Sequence, residues 1–293
     1  MSEPISVGQV IDKSWLTYRA HFSELVSISG WLLVSVIASI IGLSFSPPAA
    51  SLYASLTSFS ATETVGTVLQ ILNNFLVAPI LYIWIFAATA RFLRARDHGG
   101  STKLSAVGRE GWKRFWPLTW VTILFSVLML AAFLPLAPGL LFLFGGSFLP
   151  SLGAPVSSLG TLLLILGVFA SAYLVLRWGI RYYFAPLSLA YNDMQGQSAF
   201  MHSRRLVAGR FWETLIRLVL PKVLYFIIFA AALFILVIFG EVLIGAVSGL
   251  NIELHARLST IVFSLLVGLQ SIVLNPLVMI TDYVVFQDIE KRV

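Results

Sequence analysis

The chain has no cysteine. That excludes disulfides, thiolate nucleophiles and cysteine metal sites. Histidine is scarce: His21, His98, His202 and His255 stand singly, without the spacing of metal ligands. No metal and no other cofactor is therefore expected. Charge is scarce too, at 11% of residues, where globular domains carry about a quarter. The sequence lacks GxSxG, HExxH and a phosphate loop; the two GGS triplets at 99–101 and 145–147 are too short to count as one. No nucleophile, base and orienter assemble from spacing, so the expected class is not an enzyme.

Apolar sequence is abundant. Hydrophobic residues make up 58% of the chain, and the mean hydropathy is +0.92. A soluble fold cannot hide that much apolar surface, so lipid is the expected solvent. A helix needs about 20 apolar residues to cross the hydrocarbon. Six runs qualify, at 24–45, 66–91, 117–145, 158–182, 219–243 and 258–281. The third contains Pro135 and Pro138, which would end or kink its helix. The stretch after them would then lie at the interface or re-enter the membrane. The segment before the first run has acids and alternating polarity rather than an apolar core, so the first run is expected to be a retained anchor.

Of the 19 Lys and Arg residues, all but Arg257 fall in loops or span ends on one side of this six-span scheme. By the bias of basic residues toward the cytoplasm, both termini are expected there. The net charge of +6 then reflects loops facing anionic lipid rather than nucleic acid.

Three polar-aromatic segments resemble one another: "SVGQVIDKSWLTYRAHFSEL", "STKLSAVGREGWKRFWPLTW" and "SAFMHSRRLVAGRFWETLIR". They align on Phe22, Phe115 and Phe211, each preceded by a basic residue, His21, Arg114 or Arg210. Asp97 and Asp193 each lie 18 residues before the next of these phenylalanines. The chain is therefore expected to be one all-α, polytopic transmembrane domain, 1–293. It would hold three parallel helix-pair repeats, about 5–97, 101–193 and 197–288, each opening with a cytoplasmic interfacial amphipathic helix. In the first such helix Val7, Ile11, Trp15, Tyr18 and Phe22 share a face, and Ser6 with Gln9 has the capping-box pattern. Leu104, Val107, Trp112 and Phe115 share a face in the second; Phe200, Val207 and Phe211 do in the third. Trp15, Trp112, Trp116 and Trp212 are the expected aromatic anchors at headgroup depth. Arg204, Arg205 and Arg210 are candidates for binding anionic headgroups.

The stretches "ISVGQVIDKSWLTYRAHF" and "SAFMHSRRLVAGRFWETL" resemble the membrane domain associated with some glycerophosphoryl diester phosphodiesterases and its stand-alone YciC-like relatives. In fused members the phosphodiesterase chemistry belongs to a separate soluble barrel, which has no counterpart here, so the resemblance does not bring that activity with it. It implies a multi-pass protein of the bacterial inner (plasma) membrane, near lipid metabolism.

Ionisable residues inside a membrane are costly and are candidates for function. Arg177 and Arg181 lie one turn apart near the end of the fourth run. Two readings stand: snorkelling to the interface, or a paired cationic pocket for a lipid phosphate or small anion. Lys222 reads as an interfacial anchor, and Glu241 reads as reaching outer water. Asp282 either caps the last run or pairs with Arg177 or Arg181. Gln70, Asn73 and Asn74, with Gln270 and Asn275, give two spans a polar content that suits interhelical hydrogen bonds or the lining of a substrate path. The expected function is a non-catalytic protein of lipid organisation or scaffolding. Its expected partners are membrane lipids with anionic headgroups, and it is open to a second copy of the chain or another protein as partner. The alternative is a transporter or channel for a lipid or small anion.

Overall fold

The computed structural model describes residues 4–45, 60–100, 103–146, 153–194 and 196–292. Most of the sequence between the first and second expected runs, and between the third and fourth, lies outside them. The described residues are helical throughout, with no strand. In chain order the helices are α1 (Val7–Ala20), α2 (Phe22–Ser29), α3 (Leu32–Phe45), α4 (Ala61–Leu72), α5 (Ala78–Asp97), α6 (Leu104–Ala131), α7 (Ala137–Gly146), α8 (Gly153–Tyr182), α9 (Ala185–Asn192), α10 (Gln197–Val207), α11 (Phe211–Ser248) and α12 (Ile252–Glu290). A π-turn, Asn73–Val77, joins α4 to α5. It sits just ahead of Pro79, whose ring cannot fit the regular ladder.

Five of these stretches are long and apolar enough to cross a membrane: Ala61–Asp97, Leu104–Phe144, Ser157–Asn192, Phe211–Ser248 and Ile252–Glu290. A sixth exists if α2 and α3, which meet at 42°, count as one broken span. Large apolar side chains along these helices lie bare of protein: Phe75, Leu130, Phe144, Phe169 and Phe239 are all exposed. In water such a surface would aggregate; in hydrocarbon it is the expected one.

The chain forms two compact units, Met1–Phe115 with Ile216–Asp288, and Trp116–Leu215 with Ile289–Val293. In the first unit, α1 begins with the expected capping box: the Gln9 N–H donates to Ser6 Oγ, and the Ser6 N–H donates to Gln9 Oε1. Its buried stripe is Val10, Ser14 and Tyr18. Of the expected apolar face, Tyr18 is buried against protein while Trp15 and Phe22 are exposed. The helix has two apolar sides, one against protein and one left for the bilayer, and periodicity alone merges them. Tyr18 donates to the Val273 carbonyl at 2.9 Å, and burial pushes its hydroxyl up to about 12, so it stays a donor. Tyr225 returns the favour to α1 by donating to the Ile11 carbonyl at 3.1 Å.

The second amphipathic segment is not a separate helix. It is the opening of α6, which runs unbroken from Leu104 into its span. Val107 and Phe115 are buried there, while Leu104, Trp112 and Trp116 are exposed. The third segment is a separate helix, α10. The turn Val207–Arg210 that ends it needs Gly209 at φ +74, a conformation that a Cβ disfavours.

In the second unit the span expected to break at Pro135 does break. α6 ends at Ala131, and a 3-10 turn, Leu134–Leu136, leads into α7. α7 packs on α8 through glycine. A Cβ on Gly139 would lie 2.5 Å from the Leu164 N, and one on Gly167 would lie 2.5 Å from the Pro135 carbonyl oxygen. With lipid outside, close backbone approach rather than hydrophobic exclusion holds such helices together. Gly167→Val should therefore destabilise by about 1–3 kcal/mol through overpacking. Gly245→Ala, where a Cβ meets nothing within 4 Å, should be neutral or slightly stabilising. Thermal unfolding in detergent checks both, and equal effects at the two sites would refute the packing argument.

Candidate functional site

The second unit contains a cavity of about 530 Å³. One wall is the last turns of α8, with Tyr173, Leu176, Arg177 and Arg181. The other is the end of α10, with Arg204, and the start of α11, with Phe211 and Trp212. Two locks hold these walls. Ser203, fully buried, donates to the Arg181 carbonyl at 3.0 Å and accepts from the Phe184 N–H at 3.1 Å. The Tyr182 and Phe200 rings meet edge to face at 5.7 Å.

Three arginines face this space and no carboxylate lines it. Among the described residues none of the three is in an ion pair. The Arg177 guanidinium lies over the Tyr173 ring at 5.6 Å and donates to its hydroxyl. That contact orients the group and leaves its charge unneutralised. Arg177 and Arg181, one turn apart, repel each other. An anion between them relieves that repulsion, and the planar fork of arginine binds phosphate oxygens two at a time. The volume falls in the range of small-ligand sites. Trp212, Phe211 and Leu176 offer an apolar wall beside the charge.

The expected site residues divide as follows. Arg177, Arg181 and Arg204 come together. Arg205 is exposed and lies outside the cavity lining. Arg210 turns toward the chain end, where its Nη2 donates to the Arg292 carbonyl at 3.3 Å; Arg292 in turn pairs with Glu213 at 3.0 Å. Trp212 belongs to the cavity, while Trp15, Trp112 and Trp116 are exposed elsewhere. Tyr173 and Gly209 escaped the sequence reading. Tyr173 sits four residues before Arg177, a spacing that places both on one helix face.

The intramembrane polar residues also separate. Asn73 is buried and accepts from Ser35 Oγ at 2.9 Å; Gln70 donates to the Ser39 carbonyl at 2.5 Å. Ser39 reaches Ser264 at 3.3 Å, tying α3 to α12. These are interhelical hydrogen bonds. Asn74 is exposed. Gln270 Oε1 and Asn275 Nδ2 are buried with no hydrogen-bond partner among the described residues. Asp282 pairs with Lys222 at 2.5 Å, which corrects the expected pairing with Arg177 or Arg181 and makes Lys222 more than an anchor. Glu241 does not simply reach water: it lies 3.2 Å from His255 Nε2 and accepts from Ser259 at 3.0 Å.

No protein-family model, curated protein or solved structure matches the chain.

Two expectations follow from the ionisable groups. Lys222→Met should remove the cation that faces the Asp282 carboxylate, at a cost of roughly 3 kcal/mol, while Lys222→Met/Asp282→Leu recovers most of it. Denaturant titration in micelles measures both, and a double variant no better than the single would refute the pairing. His202 is the second case. Burial holds it below its ordinary value, Arg205 pushes the same way, and Glu290 at 3.7 Å opposes without prevailing. The folded chain thus favours neutral His202. The unfolded chain takes up the proton first as pH drops below about 6.5, so stability falls with falling pH from there. His202→Gln should flatten that decline between pH 7.5 and 5.5; an unchanged slope would assign it to other groups.

Proposed function

We propose that this chain is a non-catalytic multi-pass membrane protein that binds anionic phospholipid in the Arg177–Arg181–Arg204 cavity and acts in lipid organisation or as a membrane scaffold. The observation that carries the reading is three arginines, unpaired among the described residues, gathered on one cavity with an aromatic wall. The guanidinium groups take the phosphate; Trp212, Phe211 and Leu176 take the glycerol and the upper acyl chain. The six-span, three-repeat arrangement with cytoplasmic termini is part of the proposal. The bias of basic residues supports it, and that bias puts the cavity at the inner leaflet, where anionic lipid is concentrated. The exposed Trp15, Trp112 and Trp116 suit helices lying at headgroup depth.

A second reading, a carrier for a lipid or small anion, rests on Gln270 and Asn275 in α12, whose buried polar atoms lack partners among the described residues. A polar group left so in hydrocarbon costs energy, and a passing polar substrate would satisfy it.

The test is mass spectrometry of lipids that co-purify in native-membrane nanodiscs, comparing wild type with Arg177→Ala/Arg181→Ala and with Arg205→Gln. Each basic residue contributes about 1 kcal/mol toward an anionic headgroup, so the double variant should retain an anionic lipid roughly thirtyfold less well. Arg205→Gln should match wild type. An identical lipid profile in all three would overturn the site. Transport of a labelled anionic lipid across proteoliposomes, abolished by Asn275→Leu, would favour the carrier over the scaffold.

A further inference from the structure

A second cationic cavity, of about 360 Å³, lies in the first unit, where α5 ends and α6 begins. Arg91, Arg94 and His98 line it from one side, Arg109 and Glu110 from the other. Its lone carboxylate is already engaged, because Lys113 Nζ lies 2.6 Å from Glu110 Oε1. Three arginines therefore line the cavity against one carboxylate. Arg91 is only 8% exposed, so its charge acts where water screens it weakly.

The fold builds this space. α5 and α6 approach at Gly111, where a Cβ would lie 3.0 Å from the backbone of Ala88, and the Trp84 indole N–H donates to the Gly108 carbonyl at 3.2 Å. These contacts fix the two helices below the cavity. His98 is held at the end of α5 by its Nδ1, 3.0 Å from the Arg94 carbonyl. The first turn of α6 contributes the positive end of its dipole to the same space.

We propose that this cavity is a second anion site, specific for a phosphate group. It differs from the Arg177–Arg181–Arg204 cavity in having no Phe, Tyr or Trp in its lining. It therefore grips the charged group and makes no aromatic contact with an acyl chain. The phosphate belongs to an anionic lipid headgroup or to a free phosphate in the aqueous phase. The inference does not rest on the function proposed above, since it uses other residues in another unit.

The experiment uses the full chain in nanodiscs, wild type against Arg94→Gln/Arg109→Gln. Both side chains are at least partly exposed, and thermal unfolding confirms that the variant folds. One arm adds phosphatidic acid to phosphatidylcholine discs and counts bound anionic lipid by native mass spectrometry. The other adds inorganic phosphate to pure phosphatidylcholine discs and follows binding by calorimetry. A loss of one bound anionic lipid per chain in the variant assigns a headgroup. Tenfold or greater weakening of inorganic phosphate binding, with the lipid count unchanged, assigns a free phosphate. Either result supports the site. Wild type and variant alike in both arms would overturn it, whatever the Arg177→Ala/Arg181→Ala variant does.

Discussion

Lys222 and Asp282 meet at 2.5 Å between α11 and α12, both apolar enough to cross a membrane, and the constraint they obey orders much of the rest. A charge drawn away from water must bring a partner or keep a path back to water. The chain has 19 cations and 13 carboxylates, so pairing cannot be complete. Where helices pack, pairs form: Lys222 with Asp282, Arg217 with Asp288 at 3.4 Å, Arg292 with Glu213 at 3.0 Å. These carboxylates are thereby engaged in holding α11 and α12 and the chain's end. Six arginines line the two cavities, against a single carboxylate, Glu110. The same shortage of acid that makes the chain basic thus leaves room there for an outside anion.

The second requirement is close approach. Helices surrounded by lipid gain little from excluding an apolar solvent, so they rely on backbone proximity and on hydrogen bonds between spans. Gly139 and Gly167 bring α7 and the 3-10 turn against α8; Gly111 brings α6 against Ala88 of α5. The serines and amides of α3, α4 and α12 link within the membrane through Ser35, Ser39, Gln70, Asn73 and Ser264. Both cavities lie near helix ends, with their arginines carried on α5, α6, α8 and α10.

Much of this was legible in the sequence because the signals are local. Apolar run length gave the helices able to span, Ser6 with Gln9 gave the start of α1, and Pro135 gave the break after α6. The i, i+4 spacing of Arg177 and Arg181 placed them on one face of α8. Arg204 could be nominated, but its meeting with that pair depends on the Ser203 lock and on the turn at Gly209. Partners distant in sequence stayed hidden: nothing local connects Lys222 to Asp282 or turns Arg210 toward Arg292. The expected face of α1 divides, with Tyr18 buried and Trp15 and Phe22 exposed, because the helix is apolar on two sides and a single stripe of periodicity merges them. Arg91 read as one more loop cation because its burial depends on the approach of α6.

A snorkelling arginine and a binding arginine have the same composition and the same place in the chain; their surroundings separate them. An arginine that only snorkels needs water at its tip and is indifferent to its neighbours' charge. Arg177, Arg181 and Arg204 instead share one concave space, and Ser203 and the Tyr182–Phe200 contact hold its walls in place. Three like charges spread along a free surface would separate and be screened over about 8 Å of saline. On the proposed reading, an anion entering between these walls is met by guanidinium groups from α8 and α10 at once.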